Sequence, residues 1–139
     1  KVFYIQGKKS LQIMNMASKL TFVIIDIANK DLEEINELIY AYMIELMWDD
    51  ASIRDFIQQY INDDSEKKLN FYYLKERSTI SSLNYTQRTL LDDPEFIYSF
   101  VKDGILNVSE MNYYLNREYL VTIPIDGKKE YYYACEYFN

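Results

Sequence analysis

Two apolar periodicities occupy different parts of this chain, and that division limits the folds open to it. Both ends carry short runs rich in β-branched and aromatic residues, while the middle carries apolar residues at helical spacing. Residues 2–6 (VFYIQ) and 11–16 (LQIMNM) flank Gly7-Lys8-Lys9-Ser10, which reads as a hairpin connection. Leu20 to Ala28 is a third candidate strand, although periodicity does not exclude one helix from Ser10 to Ala28. At the other end, Tyr119 to Ile125 and Glu130 to Phe138 read as strands joined at Asp126-Gly127, with Pro124 marking an edge.

Between them the helical signals are capping residues followed by apolar stripes. Asp31 is a good N-cap and Glu34 completes a capping-box pattern ahead of Leu32, Ile35, Leu38, Ile39, Tyr42, Met43 and Leu46. The spacing predicts a helix from Leu32 to Trp48, and Asp49-Asp50 then cap a second with Ile53, Phe56, Ile57, Tyr60 and Ile61 on its stripe. Leu69 to Leu74 reads as a strand, and residues 76–91 follow no single pattern. Asp92-Asp93-Pro94-Glu95 opens a helix with proline in the first turn, which Asp103-Gly104 ends. Ser109 caps a short helix through Leu115. The absence of βαβ alternation points to one α+β domain over residues 1–139. Its antiparallel sheet is built from the N-terminal and C-terminal hairpins, with a helical layer between them.

At 139 residues and 16.7 kDa the chain is long enough to bury a core without metal or disulfide. Cys135 is the one cysteine, so no internal disulfide forms, and the expected location is the cytoplasm. Its neighbours Tyr133, Ala134 and Tyr137 suggest a buried small residue rather than a nucleophile. There is no histidine, which removes the commonest general base and the commonest transition-metal ligand. The most apolar run, Leu38 to Trp48, interrupted by Glu45, is too short to span a bilayer. Abundant Ile, Asn, Tyr and Lys with scarce Ala, Gly and Pro suit AT-rich coding, as in low-GC microbes, phages or viruses.

Charge is the feature that points to function. Between Asp31 and Glu66 eleven carboxylates face a single base, Arg54, for a net −10 in a chain whose total is −7. The rest therefore sums to +3, and residues 1–30 hold five lysines against Asp26 alone. Helix dipoles account for acids near N-termini but not for the missing lysines on exposed faces. On a helical wheel, Tyr40, Ile44 and Trp48 fall among Glu33, Glu34, Glu37 and Glu45, away from the main stripe. That pattern fits either a helix buried on two sides or an apolar strip bordered by carboxylates, as protein-binding faces are. The 15 tyrosines, five of them between Tyr119 and Tyr137, add a second candidate surface on the C-terminal strands.

Chemical alternatives find little support. Asp49-Asp50, Asp63-Asp64 and Asp92-Asp93 sit where caps belong, and Asp26 with Glu66-Lys67-Lys68 is only a loose echo of a nuclease triad. A winged-helix reading would make Ser109 to Leu115 the recognition helix, yet that segment has no lysine or arginine. The expectation is a non-enzymatic acidic binding or inhibitor protein, without cofactor or metal, that engages a macromolecule, in particular a protein with a basic surface. Immunity, antitoxin and counter-defence proteins have this character. No direct nucleic-acid or membrane partner is expected. The expected binding residues are Glu33, Glu37, Glu45, Asp49 and Asp55, with Tyr40, Ile44 and Trp48 as apolar anchors. A small carboxylate enzyme using a divalent metal, or an accessory subunit of a larger assembly, are the alternatives.

Overall fold

A computed structural model of the protein describes residues 1–16, 18–46, 54–55, 58–59 and 74–138. It includes the side chains of all these except Leu46, Ile123, Pro124, Tyr137 and Phe138. The architecture is α+β with antiparallel pairing in each of its sheets. The chain divides into two compact units, Lys1–Ile27 with Lys75–Asn139, and Ala28–Leu74.

The first unit opens with a three-stranded sheet, β1 (Val2–Ile5), β2 (Lys8–Met14) and β3 (Thr21–Ile24), in that spatial order. Lys8–Met14 and Thr21–Ile24 are thus strands, not parts of one helix from Ser10 to Ala28. The first turn is Gln6-Gly7 rather than the residues after it. Gln6 (φ 50°) and Gly7 (φ 77°) are both left-handed, the two-residue form whose twist matches paired strands. Alternation along β1 turns Phe3 and Ile5 inward, and Val23 joins them from β3. Leu91, Ile97, Phe100, Met111 and Leu115 complete this core. Phe96, Phe100 and Tyr114 meet at its margin with centroids 5.1–5.8 Å apart.

Residues 76–91 become α2 (Arg77–Thr86) followed by a π-helical turn, Gln87–Leu91. The start of α2 is set by Glu76, whose carboxylate accepts from the amides of Ser78 (3.0 Å) and Thr79 (2.6 Å). The same carboxylate lies 3.6 Å from the ammonium of Lys19. The Lys19 side chain is 3% exposed, and its ammonium also donates to Met16 C=O and Thr79 Oγ1 at 2.7 Å each. A buried cation with three acceptors ties the β2–β3 turn to α2.

Asp93 caps α3 (Pro94–Tyr98) by accepting from the Glu95 amide at 3.0 Å, as the dipeptide before Pro94 predicts. This helix ends earlier than expected. Asp103 (φ 52°) and Gly104 (φ 75°) form a hairpin turn between β4 (Val101–Lys102) and β5 (Ile105–Leu106), not a helix C-cap. Asn107 rather than Ser109 caps α4 (Val108–Arg117), accepting from Glu110 N–H at 3.1 Å. The C-terminal hairpin pairs β6 (Leu120–Ile125) with β7 (Lys128–Tyr133) as a separate sheet, turning at Asp126-Gly127. The last strand stops at Tyr133, where a short helix α5 (Ala134–Phe138) begins. Glu136 supports that switch by reaching back to the Tyr133 amide at 3.3 Å. The expected strand from Glu130 to Phe138 is corrected accordingly: it ends at Tyr133.

The free edge of β3 is closed by side chains. Thr21 and Val23 turn their backbone amides and carbonyls away from β2, and two asparagines one helical turn apart on α4 meet them. Asn116 Oδ1 accepts from Thr21 N–H at 2.8 Å, and its Nδ2 donates to Thr21 C=O at 2.7 Å. Asn112 repeats the pair on Val23 at 2.8 and 3.1 Å. A carboxamide carries one acceptor and one donor group in the geometry of a peptide, so each stands in for a residue of a fourth strand.

In the second unit, the carboxylate of Asp31 closes a 3-10 turn (Asn29–Leu32) by accepting from Ala28 N–H at 2.7 Å. The α-helix itself, α1 (Ile35–Leu46), begins three residues later than the capping-box pattern predicts. Ile35 is buried, and Leu38, Ile39 and Tyr42 are half-buried. Arg54, Asp55, Gln58 and Gln59 are helical, while the remaining expected features of residues 47–73 lie outside the described residues.

Candidate functional site

Of the expected acidic site, Glu33, Glu37, Glu45 and Asp55 are exposed, and Tyr40 and Ile44 are half-buried. Asp49 and Trp48 lie outside the described residues. On α1 the exposed positions are Glu37, Ala41 and Glu45, spaced i, i+4, i+8 along one line of the helix. From Asp31 to Ile53 the sequence holds no lysine or arginine. Burial, and then the Glu45 carboxylate, raise the pKa of the Tyr42 phenol, which stays neutral beside it.

A second surface comes from the C-terminal hairpin and α2, within the first unit. Strand alternation places Lys129, Tyr131 and Tyr133 on one face of β7, opposite Pro124, Thr122 and Leu120 of β6 in the register. Facing them, α2 presents two rows at helical spacing, Ser81 with Tyr85 and Ser82 with Thr86. Between these walls lies an open groove of about 570 Å³, with Glu118 and Tyr119 at one end. Tyr85 is 54% exposed and Tyr131 is 71% exposed, a large aromatic area left in water.

The groove's chemistry is that of hydrogen bonding and stacking. Burial, with smaller contributions from Tyr85 and Tyr114 and some relief from Thr86, pushes the Tyr119 phenol up to about 12. At neutral pH it keeps its proton, and its oxygen is buried beneath the groove's surface rather than open to it. Lys129 and Glu118 are its charged lining residues, and they cancel. Sequence reading found the tyrosines of β7 but not the helical wall opposite, because residues 76–91 carry no apolar stripe.

The other chemical candidates resolve into structural roles where they are described. Asp93 caps α3, and Asp92 accepts from Gln87 Nε2 at 2.8 Å. Asp26 pairs with Lys8 at 3.4 Å, while Glu66-Lys67-Lys68, Asp49-Asp50 and Asp63-Asp64 fall outside the described residues. Cys135 is buried in α5, and desolvation pushes its thiol up, away from the nucleophilic thiolate. Among the described residues no three His, Cys, Asp or Glu side chains cluster as a metal site would require. No described helix is long and apolar enough to cross a membrane.

The family model of DUF6933, a domain of unknown function, matches residues 1–137. The chain belongs to that family. No curated protein and no solved structure matches it.

Proposed function

We propose that this DUF6933 chain is a non-enzymatic binding protein that presents the acidic line of α1 to a basic surface on a protein partner. The observation that carries the reading is the exposed Glu37–Ala41–Glu45 line, continued by Glu33, in a stretch of net −10. Tyr40 and Ile44, half-buried beside it, offer apolar contact next to the carboxylates. Single-sign fields of this kind raise association rates and reject partners of like charge. Asp49 and Trp48 extend the proposed surface along the sequence. Inhibitory proteins of the immunity, antitoxin or counter-defence type, working in a reducing cytoplasm, fit such a surface.

The test is kinetic. Partners retained by the immobilised wild-type chain from its host's extract at low salt are purified and rebound to the Glu37→Lys/Glu45→Lys variant. A steered interface predicts an on-rate reduced by roughly tenfold or more at low salt, a flattened salt dependence and little change in off-rate. If every retained partner binds the variant with unchanged on-rate and salt dependence, α1 is not the binding face.

A further inference from the structure

We propose that the groove between α2 and the β6–β7 hairpin binds an extended, proline-containing peptide with a basic group at one end and an acidic group at the other. This surface belongs to the first unit and is independent of the α1 reading.

Charge placement gives the ligand its polarity. Glu118 stands two residues before Leu120, which pairs with Tyr133, while Lys129 pairs with Pro124 four strand positions further on. At about 3.3 Å per residue, those two pairs are roughly 13 Å apart. A polyproline II segment rises about 3.1 Å per residue, so about four residues cover that span. With Glu118 two residues beyond the first pair and Lys129 at the second, the carboxylate and the ammonium complement a peptide whose opposite charges flank such a four-residue span.

The middle of the groove suits the same backbone. Tyr131 and Tyr133 offer ring faces on which pyrrolidine rings pack, and Tyr85 does so from the opposite wall. A polyproline II chain makes no internal hydrogen bonds, so its carbonyls need donors. Hydroxyls of Ser82 and Thr122 line the groove to supply them. The segment is already extended before it binds, so little conformational entropy is lost. Single-stranded nucleic acid also stacks on aromatic rings, but it needs an excess of cations along its phosphates. One lysine cancelled by one glutamate does not provide that.

The probes are two capped hexapeptides, Arg-Pro-Pro-Pro-Pro-Asp and its reverse, titrated into the isotope-labelled full chain and followed by amide shifts. At least one should move the resonances of Ser82, Tyr85, Thr122 and Tyr131 in a saturable way. A Gly-Ser peptide with the same ends should bind at least about tenfold more weakly. Tyr131→Ala should weaken binding by about tenfold or more without lowering the melting temperature, because that ring is 71% exposed. Lys129→Glu should turn the preference toward a peptide with arginine at both ends. No shift at these residues at millimolar peptide, equal binding of the Gly-Ser control, or the same shifts from chitohexaose or an oligothymidylate would overturn the proposal.

Discussion

Replacing Asn116 with alanine should cost the protein a large share of its stability, and the size of the loss follows from three hydrogen bonds. The side chain is fully buried, accepts from Thr21 N–H, and donates to the carbonyls of Thr21 and Asn112 at 2.7 Å each. Thr21 itself is 2% exposed, so water does not reach the groups that the alanine abandons. An unsatisfied buried backbone group costs about 1–3 kcal/mol. Two such groups on Thr21, with a small cavity beside them, give a loss of roughly 2–5 kcal/mol against a typical total of about 5–15 kcal/mol. Urea unfolding at constant m-value measures it. Asn116→Asp separates volume from hydrogen bonding: the carboxylate keeps the shape and the acceptor but donates nothing to the Thr21 carbonyl. It should be destabilised as well at neutral pH. Amide exchange at Thr21 should accelerate in both variants. A loss below about 0.5 kcal/mol for Asn116→Ala, with Thr21 still protected, would show that the side-chain ladder does not hold the sheet edge.

Two pH-linked outcomes follow. The Thr79 hydroxyl, with the amides of Thr79 and Ser78 and the Lys19 ammonium, outweighs partial desolvation and holds the Glu76 carboxyl below its usual 4.5. Its stabilisation is therefore present above that value and lost as pH falls through the lowered one, so Glu76→Gln should flatten the acid limb of the stability profile. Identical acid limbs for the two proteins would remove Glu76 from the account. Tyr119 runs the other way: its phenol is pushed up from 10 to about 12, so the folded state keeps a proton that the unfolded state releases. Stability should fall as pH rises from 10 to about 12, and Tyr119→Phe should remove that decline together with a phenol step near 12 in an ultraviolet titration. A variant that keeps a phenol step near 12 unchanged would place the perturbed group elsewhere.

What was legible in the sequence was written in local rules. The β-branched runs before Gly7 and around Val23, the Asp93-Pro94 helix start and the Asp126-Gly127 turn are read within a few residues, and the structure has each of them. The errors share one cause. Asp103-Gly104 serves equally as a helix end or as a two-residue hairpin turn, and the pairing of Val101 with Leu106 decides between them. Tyr131 to Phe138 is one continuous β-favouring run. Its division at Tyr133 depends on the Glu136 cap and on burial of Ala134 and Cys135.

The site was legible in halves for the same reason. Alternation in β7 puts Lys129, Tyr131 and Tyr133 on one face without any tertiary knowledge. The opposite wall comes from a helix of serines and threonines whose start is fixed by Glu76, itself set by a lysine 57 positions earlier in the chain. Asn112 and Asn116 carry the argument furthest. Read along α4, two asparagines one turn apart beside Met111 and Leu115 look like polar residues spoiling an apolar face. They belong there because the face they occupy meets a strand edge, where a peptide-like donor and acceptor is worth more than a methyl group. A sequence pattern scores residues against water or hydrocarbon, and an unpaired β-edge is neither. On α4, buried asparagines at helical spacing therefore mark where a sheet ends against a helix.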